Sequence, residues 1–113
     1  MTKIYHNPRC SKSRQTMRLL EENGEQIDTI EYLNAPPTNH ELTEIVKMLG
    51  ISPLDLIRKG EQEFKDNFKG KDLSDEEWIQ AMVDYPKLIE RPIVIKDGKA
   101  ELGRPPEKVL NIL

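Results

Sequence analysis

The sequence predicts an α/β fold with a mixed sheet of about four strands flanked by helices, and three observations carry that prediction. Two short alternating segments near the N-terminus bracket a helical pattern, the signature of parallel strands joined by a helical crossover. A series of helix starts, each with its own capping residue, fills the middle of the chain. Near the C-terminus the period changes back to that of a hairpin.

Thr2 to His6 alternates as a first strand and is bounded by the turn signal Asn7-Pro8. From Ser11 onward, Met17, Leu19 and Leu20 supply the apolar positions of a helix that stops at Asn23-Gly24. "IDTIEYL", Ile27 to Leu33, alternates as a second strand, and Ala35-Pro36-Pro37 breaks the chain after it. Thr38 and Glu41 form a capping box ahead of a helix whose apolar face is Leu42, Ile45, Val46 and Leu49, with Gly50 as its stop. Ser52 and Pro53 open another short helix. Gly60 to Leu73 is charged and weakly periodic, which predicts a short helix and loops. Ser74 starts a further capping box and a helix running through Trp78, Ile79, Met82 and Val83 to Tyr85. "PIVI", Pro92 to Ile95, and "AEL", Ala100 to Leu102, flank Asp97-Gly98, among the strongest short hairpin signals. Pro105-Pro106 opens a final helix carrying Val109, Leu110 and Ile112.

The chain has 113 residues, enough for one domain with one core. Apolar residues make up 36% and charged residues 33%, so the surface is strongly solvated. No apolar run approaches the roughly 18 residues that would span a bilayer. There is no secretory leader pattern, and a single cysteine is not a disulfide framework. Both features predict a cytoplasmic protein with no membrane association.

Charge is distributed unevenly. Met1 to Leu20 carries Lys3, Arg9, Lys12, Arg14 and Arg18 without one acidic residue, whereas the remainder holds 12 basic and 20 acidic residues. An acidic body with one basic end disfavours a nucleic-acid partner, whose backbone it would repel. It suits a local site for a small anion, or else a solvated basic helix face.

The only cysteine lies in "KIYHNPRCSKSR". A lone cysteine is most often an inert core residue, but this one falls between a strand and a helix start. There the unpaired N–H groups and the positive dipole end stabilise a thiolate. Ser13, one turn on, has a hydroxyl that can reach back toward the sulfur, and His6, Arg9 and Arg14 add positive potential. With no second cysteine, any redox turnover of Cys10 needs a thiol from outside. A phosphatase-type loop is excluded, because its sixth residue after the cysteine must be arginine and here it is Thr16. Lysines outnumber arginines 11 to 6, which draws notice to Arg58, Arg91 and Arg104 at element ends. Guanidinium forks hold tetrahedral oxyanions in bidentate fashion. The same placement also suits plain capping and salt bridges.

"YHNPRCSKSR", "LIRKG", "ERPIVI" and "GRPPEKVL" together resemble the glutaredoxin-coupled arsenate reductase family, including its short bacterial members, over nearly the whole chain. The resemblance implies a single thioredoxin-like domain over residues 1–113, with a helical insertion between the second and third strands. It implies that Cys10 is the nucleophile, that His6 and Ser13 support its thiolate, and that Arg58, Arg91 and Arg104 bind arsenate and its thiol-bound intermediates. Pro92 matches the family's active-site cis-proline. Glutathione is implied as co-substrate and glutaredoxin as partner, with no bound cofactor and no metal. The chain departs from better-known members in lacking a C-terminal extension and in having Arg9 where a small neutral residue can stand.

Two other readings compete. One is a general glutathione-linked thiol oxidoreductase, for which three convergent arginines would have less purpose. The other is a regulator resembling the Spx-type proteins, which share this fold and bind RNA polymerase. Those commonly use a C-x-x-C switch, and here Ser13 takes the second position.

Overall fold

The computed structural model describes residues 1–113. Its one sheet has the order β2-β1-β3-β4. The strands are β1 (Thr2–His6), β2 (Ile27–Glu31), β3 (Ile93–Lys96) and β4 (Lys99–Leu102). β1 runs parallel to β2 and antiparallel to β3, and β3 and β4 form the antiparallel hairpin. The parallel pair is bridged by α1 (Ser11–Glu22). The predicted mixed sheet and its helical insertion between β2 and β3 are both present.

The chain divides into two compact units, Met1–Ala35 with Arg91–Leu113, and Pro36–Glu90. In the first, Ile4 and Val94 face each other across β1 and β3. They join Leu20 and Val109 in a fully buried cluster, against which Met17, Ile27 and Ile112 pack. The hairpin turns at Asp97 (φ 51°) and Gly98 (φ 76°), the two left-handed positions that make Asp-Gly the favoured pair for a turn of this hand.

The second unit holds α2 (Asn39–Leu49), α3 (Gln62–Asn67) and α4 (Asp75–Asp84), with 3₁₀ turns at Pro53–Leu56 and Pro86–Leu88. Thr38 and Ser74 form the expected reciprocal capping boxes with Glu41 and Glu77. Leu42, Ile45, Leu56, Met82, Leu88 and Ile89 are almost completely buried here. Trp78 stacks on Phe64 at 6.1 Å, and Phe68 meets Tyr85 edge-on at 5.5 Å.

One strand boundary needs correction, and two further features were not specified by the sequence. β2 ends at Glu31 rather than Leu33, because the N–H groups of Asn34 and Ala35 both turn back to the Glu31 carbonyl. The C-terminal helix, Pro106–Ile112, is 3₁₀ rather than α: it is a seven-residue segment with i→i+3 bonds at each end, from Lys108 N–H to Pro105 and from Leu113 N–H to Leu110. The turn at Pro86–Leu88 gave no signal in the apolar pattern.

Candidate active site

Because β1 and β2 are parallel, their C-terminal ends share one edge of the sheet, the edge where open α/β sheets place their ligands. The loop leaving β1 there is tied down by its own polar groups. Asn7 Oδ1 accepts from the Arg9 N–H at 3.0 Å, and the Asn7 carbonyl accepts from the Cys10 N–H at 3.0 Å. The Asn7 N–H donates to Ser13 Oγ at 3.0 Å, and Arg14 Nη1 donates to the Pro8 carbonyl at 2.9 Å.

Cys10 stands at the N-cap of α1 in extended conformation (φ −93°, ψ 123°), which sets its sulfur beside the main-chain N–H groups of the first helical turn. The residue is half-buried. Burial pushes the thiol pKa up, but hydrogen bonds from the Ser13 main chain, the Arg91 guanidinium and the Lys12 main chain outweigh it. The net result lies below the ordinary thiol value.

Two supporting residues do something other than expected. The Ser13 hydroxyl is fully buried and lies 2.6 Å from His6 Nδ1, so Ser13 serves the sulfur through its main chain and not its side chain. His6 is not a source of positive charge. Burial lowers its pKa, Arg14 adds to that effect, and Glu31 opposes it without prevailing. Arg14 braces the loop through Pro8, and Arg9 is exposed.

Of the three arginines at element ends, Arg91 reaches the Cys10 sulfur. Arg104 is coupled to it, with Nε donating to the Arg91 carbonyl at 2.9 Å. Arg58 belongs to the second unit, where it pairs with Glu90 at 3.6 Å and Glu61 at 3.9 Å. The Arg91–Pro92 and Arg104–Pro105 peptide bonds are both cis.

Four residues of this region were not singled out by the sequence. Asn7 read only as a turn former. Thr16 is completely buried, with its hydroxyl donating to the Lys12 carbonyl at 2.9 Å. Gly103 donates its N–H to the Pro92 carbonyl at 2.9 Å and leaves no room for a side chain. Tyr32 read as one more strand residue, yet its hydroxyl is buried without a partner, as is Arg91 Nε. The one available signal was position: Tyr32 follows the strand paired in parallel with the one that leads into Cys10.

A cavity of about 310 Å³ adjoins the loop, lined by His6, Asn7, Arg9 and Glu31 among others. No group of three or more His, Cys, Asp or Glu side chains is placed to hold a metal ion. No helix is long and apolar enough to cross a membrane.

A β2-β1-β3-β4 sheet with a cysteine heading its first helix defines a thioredoxin-like protein with its one thiol at a helix N-terminus. More narrowly, the chain belongs to the ArsC family, whose pattern it matches over residues 5–112. It is 52% identical over 113 residues to the Escherichia coli (strain K12) protein YfgD, spanning 98% of this chain and 95% of that one. An arsenate reductase of Haemophilus influenzae is 46% identical over 112 residues, 97% of each chain. The solved arsenate reductase from Vibrio cholerae superposes with a TM-score of 0.94 at 46% identity, covering 99% of this chain and 97% of that one.

Proposed function

We propose that this protein is an arsenate reductase working through Cys10, with glutathione and glutaredoxin as its reductants. One observation carries the reading. The only thiol in the chain has main-chain N–H groups and a guanidinium directed at its sulfur, an arrangement that favours thiolate and places a cation where an oxyanion would meet it.

In this scheme the Cys10 thiolate attacks arsenic(V), an S–As bond forms, and one arsenate oxygen leaves as water. The glutathione thiolate then attacks the Cys10 sulfur. An S–S bond forms, the S–As bond breaks, and its electron pair leaves with arsenic, which departs as arsenite. Glutaredoxin takes up the glutathionyl group and returns the Cys10 thiolate. The absence of a second protein thiol makes an outside thiol necessary, and a glutathione-linked cycle belongs in the reducing cytoplasm.

Arg91 would hold arsenate oxygens and stabilise charge developing during attack, and Arg104 would fix the position of Arg91 and share the anion. Ser13 and His6 would set the helix terminus around the sulfur, and Pro92 would fix the chain beside it. Arg58 is assigned to the same anion by resemblance, and its own substitution decides whether it takes part.

The experiment is arsenate-dependent NADPH oxidation with glutathione, glutathione reductase and glutaredoxin present. Turnover should vanish in Cys10→Ser and fall by about two orders of magnitude or more in Arg91→Ala. Folded protein that alkylates rapidly at Cys10 but never consumes NADPH with arsenate would exclude the reductase and leave a thiol with another client.

A further inference from the structure

Tyr32 follows directly on β2, at the edge of the sheet shared with the Asn7–Cys10 loop. The residue is 1% exposed, and its hydroxyl makes no hydrogen bond. Burying a hydroxyl unpaired is costly, so a native protein that keeps one usually has a use for it. The Asn7 side chain and the Arg91 guanidinium lie near the phenol oxygen and favour its ionised form, yet the hydroxyl has no hydrogen-bond partner in the folded chain. Arg91 and Cys10 also act on it electrostatically. Arg91 Nε is a second buried donor without an acceptor. Two unsatisfied donors thus sit around one sulfur, and what both lack is an acceptor.

We propose that the Tyr32 hydroxyl is a substrate-binding donor of this site, which together with Arg91 Nε hydrogen-bonds oxygens of a tetrahedral oxyanion held at the Cys10 sulfur. The proposal rests on the reading of Cys10 given above and adds a contact to it. Burial keeps the phenol pKa above its ordinary value despite the pull of Arg91, so the group stays protonated and able to donate. A tetrahedral anion offers oxygens in several directions, which a fork at Arg91 and a single donor at Tyr32 can share. At the reacting centre a thiol-disulfide substrate offers only weakly accepting sulfurs, so the pair also favours oxyanions.

The test compares wild type with Tyr32→Phe. Cys10 is alkylated with iodoacetamide over a range of arsenate concentrations, each rate normalised to that variant's own anion-free rate. Melting temperatures are measured without anion. The half-protecting arsenate concentration should rise at least about tenfold in Tyr32→Phe, the loss of a hydrogen bond to a charged acceptor. The anion-free melting temperature should stay level or rise, because an unpaired buried hydroxyl has been removed. An unchanged half-protecting concentration, wild type that arsenate does not protect, or a lower melting temperature in Tyr32→Phe would each overturn the proposal. Tyr32-dependent protection in a protein that never yields arsenite would uphold this contact while sinking the reductase reading.

Discussion

Gly103→Ala is the substitution whose cost can be worked most directly from the geometry. A Cβ at this position would lie 2.5 Å from Thr16 Oγ1, 2.7 Å from Pro92 Cγ and 3.2 Å from Pro92 Cδ. Ordinary carbon contacts are about 3.5–4.0 Å, so the overlap approaches roughly 1 Å on two sides. Neither neighbour yields easily. Thr16 is fully buried and anchored to the Lys12 carbonyl, and Pro92 accepts the Gly103 N–H at 2.9 Å. Overpacking of this kind costs about 1–3 kcal/mol, and two fixed neighbours point to the upper half of that range. For a chain of this size the melting temperature should fall by roughly 8–12 °C. The strain also reaches the site: Gly103 precedes Arg104, which holds the Arg91 carbonyl, and Arg91 precedes Pro92. A displacement of about 1 Å at such a group costs on the order of 100-fold in turnover. Thermal denaturation and the arsenate assay measure both effects. Thr16→Ala in the Gly103→Ala background removes the nearer clash and should return part of the lost stability, a coupling of about 0.5–3 kcal/mol. A Gly103→Ala protein that melts within about 2 °C of wild type, or shows no coupling to Thr16→Ala, would mean that Thr16 and Pro92 make way for a methyl group without strain.

Arg91→Ala removes a hydrogen bond and a charge from the Cys10 sulfur, so the pH profile of iodoacetamide alkylation should move to higher pH. Arg91→Lys should fall between the two; a profile that does not move would mean the main chain alone holds the thiolate. Glu25 is held below the usual carboxylate range, first by Lys96 and then by Thr2, with burial opposing. A carboxyl depressed in the folded state stabilises above its unfolded pKa and loses that contribution as pH falls through the folded one. Glu25→Gln should therefore lower the melting temperature at neutral pH, with a difference from wild type that closes in acid; a constant gap across pH would show that the charge contributes nothing.

Much of the fold was legible because the signals were local. Capping boxes at Thr38 and Ser74, left-handed stops at Gly50, and the Asp97-Gly98 turn depend on residues a few places apart, and all are where the pattern put them. The end of β2 and the 3₁₀ character of Pro106–Ile112 were not legible, since alternation continues through Tyr32 and apolar spacing does not separate the two helix types. Within the site, the position of Cys10 could be read from strand, turn and helix signals alone. The role of the Ser13 main chain could not, because main-chain donors leave no mark on side-chain identity. Tyr32 and Gly103 were hidden for a different reason: what distinguishes them is the lack of a partner or the lack of space, and both depend on residues far away in sequence.

The correction at His6 changes how the thiol's activation depends on pH. A protonated histidine beside the cysteine would lend its charge only below its own pKa, so the thiolate would lose support as pH rose through neutrality. In this protein burial lowers the His6 pKa, and the ring lies against the Ser13 hydroxyl. The positive charge at the sulfur comes instead from the Arg91 guanidinium. The helix-terminal N–H groups of Lys12 and Ser13 do not titrate at all. His6 then contributes by holding Ser13, whose hydroxyl also receives the Asn7 N–H, so one buried contact sets both the loop before Cys10 and the helical turn after it. In the proposed mechanism the activation of the thiol thus rests on Arg91 and main-chain donors rather than on a titrating imidazole, and the sensitive element is geometry: whatever moves Ser13 or Arg91 moves the donors off the sulfur.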